Sequence, residues 1–198
     1  MASVPTFSEE GGVPDGVKVL TLPGWQNSSA GHWQTVWEAV HGDERVVQHD
    51  WLQPLRGDWI ARLEEVVLQQ SRPVVLAAHS LGCHLVAAWA AHSRVTERVI
   101  GALLVAPPDV RQADFPPQLH RWAAPVLERL PFPAVVVASR SDPFASFEAT
   151  SAMAARWGAV LRDVGAQGHI NAESDLGDWP QGRAWLAALS AVSSHPES

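Results

Sequence analysis

The sequence predicts a compact three-layer α/β sandwich: a mostly parallel sheet of about six strands, covered by helices on both faces. Three observations carry this. Short apolar runs rich in β-branched residues alternate with helical patterns along the chain. Several of these runs are apolar throughout, as strands buried on both faces are. The chain has 198 residues, 46% hydrophobic and 18% charged, which suits one globular domain with a substantial core. That domain is expected over residues 17–192, after a flexible lead-in at 1–16 and before a tail at 193–198.

Taken in order, Val17 to Leu22 reads as the first strand and runs into a turn at Pro23-Gly24. Trp33, Val36, Trp37 and Val40 are spaced for one face of a helix. Arg45 to Gln48 is a short strand, and Trp59, Leu63, Val66 and Val67 mark a second amphipathic helix. Val74 to Ala78 is a buried strand followed at once by an alanine-rich helix from Leu81 to Ala91. Val99 to Val105 is another buried strand. Proline-rich loop is expected from Pro107 to Pro133, with a short helix around Gln118 to Ala123; the segment is too short for a large lid domain. Ala134 to Ala138 is a strand, Phe144 to Trp157 a helix, Val160 to Val164 the last strand and Gly182 to Val192 the last helix.

Composition narrows the function classes. A formal net charge of -7 argues against nucleic-acid binding, which wants a basic face, and against polybasic membrane attachment. No apolar run approaches the roughly 20 residues needed to span a bilayer. Met1 to Gly16 has no basic segment followed by an apolar core, so no signal peptide is expected. Cys83 is the only cysteine, so no intrachain disulfide can form. A soluble, cytoplasmic protein is expected. His84 and His92 lack a tight zinc spacing, and no dinucleotide or Walker pattern occurs, so neither metal nor cofactor is expected. The ten tryptophans, with no tyrosine, read mainly as core, a few of them as cleft lining.

Chemistry concentrates at three strand ends. In a parallel sheet, active residues lie on loops at the carboxyl ends of strands. Ser80 sits at a strand–turn–helix junction flanked two residues either side by Ala78 and Gly82, where the usual nucleophile elbow has glycine at both positions. Asp142 follows the Ala134–Ala138 strand and His169 follows the Val160–Val164 strand. The chain order Ser, Asp, His is that of α/β-hydrolases. A serine hydroxyl is a weak nucleophile; His169 would take and return its proton, and Asp142 would fix the imidazole tautomer. Leu81 N–H, at the helix start, and Trp25 N–H, after the Pro23-Gly24 turn, would bind the oxyanion.

With these residues the chain resembles the YdeN-type α/β-hydrolases, the family of retinoblastoma-binding protein 9. The resembling segments are Pro23 to Ser28, Gly31 to Gln34, Asp50-Trp51, Ala78 to Cys83, Gly101 to Pro107, Ser141 to Pro143 and Gly168 to Ala172. They span about Val17 to Leu189. The resemblance implies a Ser80–Asp142–His169 triad, a hydrolase core without a large cap, and esterase- or peptidase-like activity on a small acyl or peptide substrate.

Plainer roles remain open. Asp163, Asp175 and Asp178 rival Asp142 as the partner of His169, and Asp142 before Pro143 could be only an N-cap. His79 is expected to pack below the turn. Gln26 and His32 are candidate substrate contacts, and a helix-start role is equally open for His32. The leading reading is a serine hydrolase cleaving a small ester, thioester or amide. The alternative is a non-catalytic protein-binding module on a hydrolase scaffold, although no partner-binding motif is visible.

Overall fold

The structure, a computed structural model, describes residues 12–191. The expected lead-in falls largely outside these residues and the tail entirely so.

Six strands form one sheet in the order β2-β1-β3-β4-β5-β6: β1 Lys18–Leu22, β2 Glu44–Arg45, β3 Val74–His79, β4 Val99–Val105, β5 Ala134–Ala138 and β6 Val160–Asp163. Every pairing is parallel. Five helices cover it: α1 Trp33–His41, α2 Arg56–Gln69, α3 Leu81–Ala90, α4 Phe147–Trp157 and α5 Pro180–Ala191.

Side chains alternate between two core layers, as period-2 strands require. Val74, Leu76 and Ala78 of β3 join Leu104 and Val136 against α2, α3 and α4. Val75 and Ala77 join Leu103, Val105, Val135 and Val137 against Trp33 and Trp37 of α1 and Leu186 of α5. Trp59, Leu63, Val66 and Val67 all face the first layer, as their spacing predicts. Among the described residues no helix is long and apolar enough to cross a membrane.

The structure corrects several expectations. Val40 is 60% exposed; α1 instead buries Gln34, whose Nε2 donates to Ala77 O at 2.9 Å and whose Oε1 accepts from Ser28 Oγ at 2.7 Å. The second strand is Glu44–Arg45, not Arg45 to Gln48, because only Val46 N–H goes on to bond Thr21 O and Val47 turns outward. The fourth helix starts at Phe147, where Ser146 Oγ caps it by accepting from Ala149 N–H at 3.1 Å. The short helix in the Pro107–Pro133 loop is a 3-10 turn over Pro117–Trp122.

Candidate active site

Ser80 occupies the turn between β3 and α3 with φ 54° and ψ -123°, a backbone conformation that non-glycine residues adopt only when their surroundings enforce it. The enforcement is visible. Ser80 N–H donates to Val105 O at 2.9 Å and Ser80 O accepts from Cys83 N–H at 2.9 Å. Gly82 is needed because a Cβ there would stand 2.3 Å from Leu22 O. Gly24 is needed because its Cβ would stand 2.9 Å from Ser80 Cβ and 3.1 Å from Leu81 N. Ala78 is tolerated because its side chain points into the α3-side core rather than at the turn. Cys83 is fully buried behind the serine, and burial pushes its thiol pKa well up.

Three strand ends meet at Ser80. His169 Nε2 lies 2.9 Å from Ser80 Oγ, and His169 Nδ1 lies 3.0 Å from both carboxylate oxygens of Asp142. The carboxylate accepts, so Nδ1 carries the proton and Nε2 offers a lone pair to the serine O–H. Asp142 is not a helix cap. Its Oδ1 accepts from Phe144 N–H at 2.9 Å, closing a turn that aims the other lone pairs at the imidazole. The rival aspartates are otherwise engaged. Asp163 pairs with Arg140, Asp178 with His41, and Asp175 ends a 3-10 turn in the left-handed conformation.

Leu81 and Trp25 both line the cavity beside Ser80. Among the described residues neither backbone N–H has an acceptor. Gln26 and Asn27 follow in consecutive left-handed conformations, with Gln26 N–H donating to Trp51 O at 3.0 Å, so the loop after β1 is tied down. Gln26 is exposed on the rim. His32 is buried and caps α1: its Nδ1 accepts from Gln34 N–H at 3.1 Å, which leaves the proton on Nε2. Burial, helped by the Arg45 charge, pushes the His32 pKa down to about 3, so it stays neutral.

The cavity measures about 650 Å³. Its lining mixes apolar side chains, Pro108, Phe115, Leu119 and Phe144, with polar ones, Ser28, Ser29, Asn171 and Glu173. Phe144 also sets its ring edge-on to His169, 4.6 Å between centroids. Of the ten tryptophans only Trp25 lines the cavity. The remaining contacts lay outside sequence reasoning. Ser139 Oγ and Ser141 Oγ accept from Gln167 N–H and Gly168 N–H, both at 2.9 Å. His79 does not simply pack below the turn; it also faces the cavity, and its Nε2 donates to His169 O at 2.8 Å. The Ser139-x-Ser141-Asp142 spacing was the only available signal, and without the third dimension it reads as an ordinary turn. Among the described residues no group of three or more His, Cys, Asp or Glu is placed to hold a metal ion.

A parallel sheet whose strand ends bring a serine on a sharp elbow, a histidine and an aspartate together defines an α/β-hydrolase. The family model described as serine hydrolase matches residues 19–188. The chain therefore belongs to the serine hydrolase family, and its small YdeN-type branch is the one its structural neighbours indicate. It is similar to a YdeN-like hydrolase from Pectobacterium atrosepticum, at 29% identity and a TM-score of 0.77, covering 89% of this chain and 91% of that one. It shares its fold with the ydeN product of Bacillus subtilis, at 21% identity and a TM-score of 0.68, covering 87% of this chain and 97% of that one. It shares it also with a thermophilic esterase from Thermogutta terrifontis, at 17% identity and a TM-score of 0.59, covering 91% and 92%. No sequence among the curated proteins matches the chain.

Proposed function

We propose that the protein hydrolyses a small ester, thioester or amide through an acyl-enzyme on Ser80. The observation that carries this is the unbroken line from Ser80 Oγ through both nitrogens of His169 to the Asp142 carboxylate, opening on a cavity. The esterase described among its structural neighbours agrees with it.

In this reading Ser80 Oγ attacks the substrate carbonyl while His169 Nε2 takes the hydroxyl proton. The imidazolium that forms is stabilised by Asp142, whose side chain is only 3% exposed and therefore little screened by water. The oxyanion is received by the Leu81 and Trp25 N–H groups, with the N-terminal end of α3 favouring the negative charge. His169 returns the proton to the departing alcohol, thiol or amine, leaving the acyl group on Ser80. Water then enters, gives a proton to His169, and attacks the acyl carbonyl; the serine leaves with that proton and the acid is released.

The mixed lining suits a substrate that sets a short apolar group beside Phe115 and Leu119 and a polar group beside Ser28 or Asn171. Gln26 on the rim and His32, which lines the cavity, are proposed substrate contacts. A cytoplasmic setting suits the single buried thiol.

The test is fluorophosphonate labelling of wild type and Ser80→Ala, followed by a chromogenic ester panel of graded acyl length. Labelling of wild type alone, with turnover of short acyl esters, is expected. A folded wild type that takes no label and turns over no ester, thioester or amide overturns the proposal and favours a binding role.

A further inference from the structure

We infer that His79 and Ser141 are positioning residues that lock the His169 imidazole in line with Ser80 and Asp142. The inference rests on the reading of those three residues as the reacting groups. Each lock comes from the chain neighbour of one partner. His79 precedes Ser80, and its Nε2–H donates to His169 O at 2.8 Å. Ser141 precedes Asp142, and its Oγ accepts from Gly168 N–H at 2.9 Å. The backbone around His169 is thereby referenced on one side to the nucleophile's strand and on the other to the carboxylate's loop. Each bond thereby limits displacement of the imidazole relative to one of its two partners.

The lock has two further supports. A carbonyl can only accept, so His79 must hold its proton on Nε2. The residue is 5% exposed, and burial keeps it neutral by holding its pKa well below 6.5. It is therefore a fixed donor at any working pH. The residue after His169, Ile170, has φ +49°, a region that a β-branched residue occupies only under constraint. Trp33 Nε1–H supplies part of that constraint by donating to Ile170 O at 3.0 Å. A tight turn is thus maintained immediately after the imidazole, and the His79 bond sits at its start.

Misplacing a catalytic group by about 1 Å costs on the order of 100-fold in rate. His79→Phe keeps a ring but loses the donor, and His79→Gln restores an N–H donor. In His79→Phe, kcat is expected to fall on the order of 10- to 100-fold with KM little changed. The downfield proton resonance of the His169 Nδ1–H shared with Asp142 is expected to shift or broaden. His79→Gln recovers most of both, and Ser141→Ala moves both in the same direction by less. A folded His79→Phe with wild-type kcat and resonance overturns the inference, as does equal impairment in His79→Gln, which would mean that ring packing alone matters. Should His79→Phe not fold, an unchanged kcat and resonance in Ser141→Ala overturns it. If wild type proves to hydrolyse nothing, the proposed function fails, and the resonance still reads the lock.

Discussion

Gly82→Ala tests how closely α3 must approach β1 for the site to exist. The added Cβ would lie 2.3 Å from Leu22 O, whereas ordinary contacts begin near 3.4 Å, so the two must separate by about 1 Å. Leu22 cannot retreat, because β1 is held between β2 and β3 and Leu22 pairs with Ala78. The N-terminus of α3 must therefore move, and it carries Ser80 and the Leu81 N–H away from Trp25. Overpacking of this kind costs about 1–3 kcal/mol. For a domain of this size that lowers Tm by about 2–12 °C. On the proposed function the same displacement takes the Leu81 N–H out of reach of the oxyanion, worth about 2.7–4 kcal/mol of barrier, so kcat should fall on the order of 100- to 1000-fold. Differential scanning calorimetry and the initial rate on the best chromogenic ester measure the two effects. A variant with wild-type Tm and wild-type kcat would refute the close-approach argument.

Two other expectations concern proton placement. In Asp142→Asn the Phe144 N–H retains Oδ1 as its acceptor, which turns the amide NH2 toward His169 Nδ1 and drives the imidazole proton onto Nε2. Ser80 then loses its base, and kcat should fall on the order of 10⁴-fold at neutral pH with Tm nearly unchanged, the loss seen for this exchange in other Ser–His–Asp triads; a loss under tenfold would argue against this tautomer role. Acid stability follows from the neutral buried histidines. Burial is the largest cause that lowers the pKa of His32 to about 3, of His84 to about 4, and of His79 well below 6.5. The unfolded chain takes up these protons first, so stability is lost as pH falls from about 6.5 toward 4, by up to about 1.4 kcal/mol per pH unit for each histidine. Urea unfolding at pH 7, 6 and 5 measures it, with His84→Gln expected to flatten the slope; a flat profile in wild type would contradict the burial argument.

What could be read in the sequence is what short-range pattern encodes. β3 and β4 are apolar at nearly every position because both faces are covered, and Ser80 stands out because an elbow needs small neighbours and a helix directly behind it. Chain order then led from Ser80 to Asp142 and His169, which the structure brings into hydrogen-bonding distance. The misses are tertiary. Val40 has the right helical phase, yet the last turn of α1 leaves it exposed. Gln34 is polar and buried because Ser28 and Ala77 satisfy it, partners that no local pattern announces. The β2 boundary slipped because an edge strand needs only one neighbour, and Val46-Val47 resembled a buried run. The helix assigned from Phe144 begins three residues later because the Asp142 carboxylate claims Phe144 N–H for a turn, a competition between side chain and helix that propensity does not register.

The buried thiol behind the elbow makes the molecule its own reporter. Cys83 is the sole cysteine, its Sγ lies 3.4 Å from Val105 O, and burial holds it in the unreactive thiol form. An alkylating reagent therefore meets no target while α3 stays seated on the sheet, and it gains one when that helix detaches. The rate of alkylation in native buffer, followed by intact mass, clocks the opening of the segment that carries Ser80, with no label introduced and no other sulfhydryl to confuse the count.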